Sequence, residues 1–137
     1  IVVIVIVGIL VAVALPRWVG DTGFENRGLR DETAASLRYA QKSAIASRRQ
    51  VCLAFTANGM TATVATAFAG PCSVDLPGPS GGQLQVAARG GATYSTQPGA
   101  ALTFDPQGRP TGRTVITVQG LPSVLDLVVE AETGYVH

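Results

Sequence analysis

The hydrophobic pattern opens with an uninterrupted apolar block, IVVIVIVGILVAVAL, from Ile1 to Leu15. As a helix, these fifteen residues would extend about 22 Å at about 1.5 Å per residue, whereas the hydrocarbon core of a bilayer is about 30 Å thick. The block is therefore too short to cross a membrane by itself. Three interpretations remain: a buried core helix, the apolar part of a secretory signal peptide, or a membrane helix that lacks its start.

The third interpretation fits the flanking residues best. A core helix would have to be buried on all sides, which is difficult in a chain of 137 residues. No basic segment precedes the block, and the sequence from Ala14 to Arg17 is a poor signal-peptidase site. We therefore expect residues 1–16 to form an N-terminally incomplete transmembrane helix. Pro16 either kinks this helix or ends it.

Residues 17–30 lack a clear period, and Gly20 and Gly23 are expected to interrupt any helix there. We interpret this segment as a connector. Arg17 and Trp18 suit the headgroup region of a membrane, where cations and amphipathic aromatic side chains are common. Packing of Trp18 in a globular core is the alternative.

From Asp31 the pattern becomes that of an amphipathic helix. Apolar or small residues recur at steps of three and four, whereas the opposite face is charged and expected to be solvated. The predicted core face consists of Leu29, Thr33, Leu37, Ala40, Ala44 and Ile45.

After Arg49 the period changes to that of strands. Val51, Leu53 and Phe55 alternate with smaller residues, and Asn58-Gly59 predicts the turn of a β-hairpin that returns through residues 60–64. Further strands are predicted at 84–88, 101–104, 114–118 and 124–129, separated by turns rich in Gly and Pro. The fold class is therefore α+β, with one long helix followed by an antiparallel sheet in a globular domain over residues 31–137.

Two segments resemble a known family. The apolar block with Gly8 and Pro16 resembles the N-terminal helix of type IV pilins and type II secretion pseudopilins. The segment LRDETAASLRYAQKSAIASRRQVCLAF resembles the GspH/FimT branch of minor pilins, especially subunits of MSHA-type pili. The resemblance implies a pilin-like fold and about six residues before Ile1, which would lengthen the helix to about 31 Å. The family's acidic, methylation-linked N-terminal segment is absent from this sequence.

The resemblance also implies a function. We expect a structural minor pilin of an MSHA-type pilus that acts in pilus assembly or adhesion, with a type II secretion pseudopilin as the alternative. Its expected partners are other pilin subunits, bound through the N-terminal helix, the inner membrane, the assembly platform, and the prepilin peptidase that processes the precursor. The globular domain is expected in the periplasm of a Gram-negative bacterium, anchored in the inner membrane by a single span before it enters the filament.

Cys52 and Cys72 are the only cysteines, and their spacing predicts neither a zinc site nor a redox motif. In an exported domain we expect them to form a disulfide, with two buried thiols as the alternative. The single histidine, His137, suggests no catalytic triad. Asp126 and Glu130 look like a solvated strand face. We therefore expect no enzyme activity, no metal and no cofactor.

The formal net charge of +1 argues against a dedicated nucleic-acid binder. Arg89, Arg109 and Arg113 nevertheless lie in predicted loops and are candidates for a small cationic patch that contacts DNA phosphates. Some FimT-like minor pilins bind DNA through basic residues in C-terminal loops, which makes DNA a further possible partner with weak, salt-sensitive binding. The alternative is that these arginines only keep the loops soluble.

Overall fold

The structure is a computed structural model that describes residues 1–19, 22–96, 98 and 101–137, with the backbone alone for residues 14–19 and 22. It contains two α-helices, α1 (Val2–Val19) and α2 (Thr22–Ser47). A short 3-10 turn covers Ser123–Leu125. The described strands are β1 (Val51–Thr56), β2 (Gly59–Ala65), β3 (Cys72–Asp75), β4 (Gln85–Ala87), β5 (Tyr94–Thr96), β6 (Leu102–Phe104), β7 (Thr114–Val118) and β8 (Leu127–Val129).

Helix α1 presents its apolar side chains to the surroundings. Every residue from Ile1 to Val13 is exposed. The helix continues through Pro16 to Val19, so the proline does not end it. No helix in the described part of the chain is both long enough and apolar enough to cross a membrane. Arg17 and Trp18, which are expected in the headgroup region, are described by their backbone only. Gly20 lies outside the described residues.

Helix α2 begins at Thr22, well before Asp31, and it includes Gly23 and Gly28. The prediction that Gly23 would interrupt a helix is therefore wrong, and most of the described part of the connector over residues 17–30 is helical. A glycine costs a helix about 1 kcal/mol. A helix that is already nucleated gains a hydrogen bond for each added residue, so it can propagate across such positions.

The predicted core face of α2 is largely confirmed. Leu29, Thr33, Leu37, Ala40 and Ala44 are buried.

Ile45 is the exception, because 48% of its surface is exposed. One residue corresponds to a rotation of about 100° around a helix. Ala44 already faces the sheets, which leaves Ile45 at the edge of the contact. There a side chain at Gly108 would meet the Cδ1 atom of Ile45 at 2.7 Å.

The first sheet has the strand order β3-β2-β1-β6, and β4 pairs with the first part of β2. The predicted hairpin is confirmed, since β1 pairs antiparallel with β2 and Thr56 lies opposite Gly59. This register puts Ala57 and Asn58 in the turn and Gly59 in the strand. Gly59 is therefore not required by the turn. It is required by packing, because a side chain there would collide with the carbonyl oxygen of Val86 in β4.

A second sheet contains β5, β7 and β8, so the prediction of one sheet is wrong. Strand β7 has its predicted bounds, β8 is shorter than predicted, and β3 and β5 were not predicted. The loop predicted between the strands at 101–104 and 114–118 contains Gly108 to Arg113. The chain does turn back locally, with Phe104 opposite Pro110, but it then leaves the first sheet for β7 in the second.

Helix α2 contacts strands of both sheets and completes one hydrophobic core. All parts of the domain contribute to this cluster, and its largest fully buried hydrophobic side chains are Leu37, Leu53, Met60, Leu102, Phe104, Ile116 and Leu127. The α+β architecture is confirmed.

Truncation of Leu37 tests the role of this helix–sheet contact. We expect Leu37→Ala to lower the free energy of unfolding by about 2–5 kcal/mol, because it removes buried methyl groups and leaves a cavity. Urea denaturation of the full chain in detergent micelles measures the change. The control is Val124→Ala, at a residue that is 84% exposed, which should cost less than about 0.5 kcal/mol. Equal effects of both substitutions would contradict a core centred on α2.

Candidate functional site

The most prominent interaction surface of the described chain is α1. Its side chains remain exposed along the helix, with 76% of Ile4 and 62% of Leu10 accessible. A side chain at Gly8 would meet no other atom within 4 Å. Soluble monomers rarely expose large contiguous apolar patches, and such patches mark contacts with proteins or membranes. Leu15 and Pro16, also predicted for this helix, are described by their backbone only.

A buried pair of hydroxyl groups fixes α2 on the sheets. The Thr33 hydroxyl donates a hydrogen bond to the carbonyl oxygen of Leu29 at 2.6 Å. The Tyr94 hydroxyl of β5 lies 2.5 Å from the same Thr33 oxygen. Because the Thr33 proton is already used, Tyr94 is the donor in this second bond. Thr33 was correctly predicted on the core face, but its tyrosine partner comes from a strand that the sequence pattern did not reveal.

The environment of Tyr94 disfavours its ionised form. Burial raises the pKa of Tyr94 above its ordinary value of 10.0, the hydrogen bond with Thr33 lowers this pKa, and the negative charge of Glu32 raises it further. Burial is the largest of these effects because a phenolate loses its hydration in the core. The ring also packs edge-on against Phe55, with 5.7 Å between the ring centroids.

Further polar contacts join α2 to the loops around the sheets. In each of them a side chain of α2 donates to a backbone carbonyl group, which removes an otherwise unpaired acceptor. The contacts are Arg30 to Leu125 at 3.0 Å, Arg38 to Val136 at 3.0 Å, Tyr39 to Pro77 at 2.9 Å, and Gln41 to both Gly108 and Thr133 at 2.9 Å. The loops therefore take their positions from α2.

The predicted disulfide between Cys52 and Cys72 is present, with 6.1 Å between the Cα atoms. It joins β1 to the first residue of β3. The connection from β2 to β3 contains Ala69 in a left-handed conformation, with φ of 60°, and Phe68, which is 70% exposed. The bond thus holds the end of this exposed connection beside β1.

Two of the three arginines that were candidates for a cationic patch, Arg89 and Arg113, have carboxylates nearby. Arg113 lies 3.7 Å from Glu130. Arg89 lines a groove with Glu25 and Glu32 of α2.

Arg109 follows Gly108, which packs on Ile45 near the other end of α2. Glu32 and Ile45 are about 20 Å apart along the helix axis at about 1.5 Å per residue. This separation places Arg109 far from Arg89, and the carboxylates beside Arg89 and Arg113 reduce the attraction of these two side chains for phosphate.

The remaining candidate groups lie around β8. Asp126 and Glu130 flank this strand and, like Val128 between them, are partly exposed. The Nε2 atom of His137 lies 2.9 Å from Glu130, and the His137 ring stacks on Tyr135. The backbone of His137 exchanges two hydrogen bonds with Val128. This cluster attaches residues 135–137 to β8.

Comparison with known proteins connects this arrangement to a family. The family model described as "Type II transport protein GspH" matches residues 30–132. No curated protein matches the chain.

Solved structures of two other proteins are similar in fold. The minor pseudopilin EpsH from the type II secretion system of Vibrio cholerae is 13% identical, with a TM-score of 0.62, and the match covers 82% of this chain and 94% of EpsH. The type IV minor pilin FimU of Pseudomonas aeruginosa is 17% identical, with a TM-score of 0.61, and the match covers 85% of this chain and 90% of FimU. At these identities the likeness supports the pilin-like fold.

Replacement of Tyr94 by Phe tests the buried hydroxyl pair. We expect Tyr94→Phe to cost about 1 kcal/mol of stability, the usual net value of one hydrogen bond. Thr33 keeps its bond to Leu29, so the loss should stay small. Urea denaturation measures the effect, and Tyr135→Phe, at a tyrosine that is 62% exposed, is the matched control.

The raised pKa of Tyr94 adds a pH dependence to this prediction. A group whose pKa is higher in the folded state stabilises the fold fully below its ordinary pKa of 10.0 and loses this contribution as the pH rises through the folded value. Wild-type stability should therefore fall above about pH 10, and Tyr94→Phe should show a smaller fall. An equal alkaline loss in both proteins would contradict the assignment to Tyr94.

Removal of the disulfide tests its contribution to the first sheet. The bond closes a loop with a sequence separation of 20, and the chain-entropy estimate for such a loop is about 3 kcal/mol. We expect the double variant Cys52→Ser with Cys72→Ser to lose a comparable amount in thermal and urea denaturation. Addition of a reducing agent should destabilise the wild type but leave this variant unchanged. Insensitivity of the wild type to complete reduction would contradict the prediction.

Proposed function

We propose, because this chain belongs to the GspH family of type II transport proteins, that it is a minor subunit of a pseudopilus or type IV pilus-like filament. The observation that carries this proposal is the continuous exposure of apolar side chains along α1. Burial of apolar surface contributes about 25 cal/mol per Å². Packing of α1 against the equivalent helices of other subunits would therefore supply a large part of the assembly free energy.

We further propose that the role is structural rather than catalytic. Assembly of this kind requires shape and hydrophobic burial at the subunit, and no bond is made or broken there. The buried polar pair of Thr33 and Tyr94 lies inside the core, where it supports the fold. The contacts of Glu130 with Arg113 and His137 are at the surface.

The proposed location before assembly is the inner membrane, with α1 in the bilayer and the globular domain in the periplasm. The disulfide supports a periplasmic location of the globular domain, because such bonds persist in the oxidising periplasm. Processing by a prepilin peptidase, N-terminal methylation and delivery by an assembly platform belong to the same proposal.

Two filament systems remain candidates. The family description and the likeness to EpsH agree with type II secretion. The likeness to FimU agrees with a type IV pilus, and the segment from Leu29 to Phe55 resembles subunits of MSHA-type pili. A strain that lacks the protein separates them. Loss of surface pili with normal protein export would support the pilus, and accumulation of exported enzymes in the periplasm would support the pseudopilus.

A charge in α1 tests the proposed assembly surface. We expect Ile6→Glu to reduce incorporation into sheared filaments at least tenfold, because a buried carboxylate is costly in an apolar interface. Val124→Glu, which adds the same charge at an exposed position of the globular domain, should leave incorporation unchanged. Quantitative immunoblots of the filament and membrane fractions distinguish failed assembly from failed membrane anchoring. Normal incorporation of Ile6→Glu would contradict the proposal.

A further inference from the structure

The C-terminal end of α2 carries a cluster of exposed cations, which we call the basic end of α2. Its members are Lys42, Arg48, Arg49 and Arg109, all of them exposed. The loop after β6 brings Arg109 to this place, because Gln41 donates a hydrogen bond to Gly108. None of the four cations has a carboxylate within 4.0 Å among the described residues.

Nearby carboxylates compensate this charge only in part. Asp105 accepts hydrogen bonds from the backbone N–H groups of Gln107 and Arg109 at 2.9 and 2.8 Å. Glu132 is exposed and precedes Thr133, whose carbonyl oxygen accepts a hydrogen bond from Gln41. Four cations thus face two carboxylates, one of which is held by the backbone, and the surface keeps a positive excess.

The conformation of Arg48 is unfavourable for an arginine. Arg49 donates its backbone N–H to Ala44 at 3.2 Å and Arg48 donates to Ile45 at 3.3 Å, which is the Schellman arrangement at a helix end. Arg48 occupies the left-handed position of this motif, with φ of 53°. Glycine is the usual residue there because a Cβ atom is strained in this region.

A cation near a helix C-terminus interacts favourably with the helix dipole, and Arg49 already provides one. Stability alone therefore favours glycine at position 48. A strained residue that persists is a reason to look for a function of its side chain.

An apolar side chain lies within the same surface. Ile45 is 48% exposed, and it lies one helical turn from Lys42, whereas Arg48 and Arg49 directly follow the end of α2. A protein partner can offer carboxylates and an apolar side chain together, whereas a phosphate backbone offers only charge. The combination favours an acidic protein surface over nucleic acid.

We propose that the basic end of α2 binds an acidic protein surface with an apolar residue at its centre. The partner's carboxylates would pair with Lys42, Arg48 and Arg49, and its apolar residue would cover Ile45. This interaction is distinct from the packing of α1 and does not depend on it. It uses a separate surface, at the C-terminal end of α2.

A designed peptide tests the proposal. The probe is a fluorescent helical peptide with Glu residues spaced one turn apart around a central Leu, and binding to the full chain in detergent micelles is measured by fluorescence anisotropy. We expect saturable binding that weakens with added salt, because charge–charge contacts are screened. Lys42→Glu should weaken binding at least tenfold. The matched control is Arg27→Glu, an equal charge change at another exposed position of α2, which should change binding less than twofold.

The strained arginine provides a second measurement with a distinct signature. Arg48→Gly should raise the melting temperature, because it relieves the left-handed strain, and it should weaken peptide binding about threefold or more. Ile45→Ser should weaken binding of the peptide with central Leu more than binding of a peptide with central Ser. Unchanged peptide binding by Arg48→Gly would overturn the proposal, whether its melting temperature rises or falls.

A competing anion completes the test. A DNA duplex of the same total charge is titrated under the same conditions, with the same variants. Weaker binding of the duplex than of the peptide is expected. Tighter binding of the duplex, or the absence of peptide binding at low salt, would overturn the proposed protein partner.

Discussion

Burial of one face of α2 is the constraint on which the rest of the structure depends. Leu37 and Ala40 of this face have no exposed surface, and strands of both sheets contact the helix. Small residues such as Ala34, Ala40 and Ala44 allow the backbone of the helix to approach the strands closely. Because the two sheets share no strand, α2 is the element that joins them into a single core.

The same helix also organises the polar contacts at the edge of the domain. Side chains such as Arg38 and Gln41 lie beside the buried face and reach backbone carbonyl groups of the loops. The helix therefore positions the loops as well as the core. One consequence is the basic end of α2, since Arg109 reaches it only because its loop is held by Gln41 and packs on Ile45.

The chain departs from local rules at two kinds of place. Exposed apolar side chains in α1 and a left-handed arginine at the end of α2 both reduce the stability of an isolated domain. Departures of this kind are expected where a surface serves binding rather than folding. Gly59, by contrast, follows a strict packing rule, because the carbonyl oxygen of Val86 fills the place of its side chain.

The sequence by itself determined the features that depend on local order: the α+β class, the core face of α2, the hairpin of β1 and β2, and the bounds of β7. It also indicated the cysteine pair and the pilin-like family. The tertiary structure alone decided that there are two sheets, that Ile45 is half exposed, and that Arg89 lies far from Arg109. These features depend on contacts between distant parts of the chain, which periodicity cannot encode. The sequence resemblance identified the family. The tertiary structure decided which charged side chains lie beside a carboxylate, such as Arg113 beside Glu130, and which remain exposed.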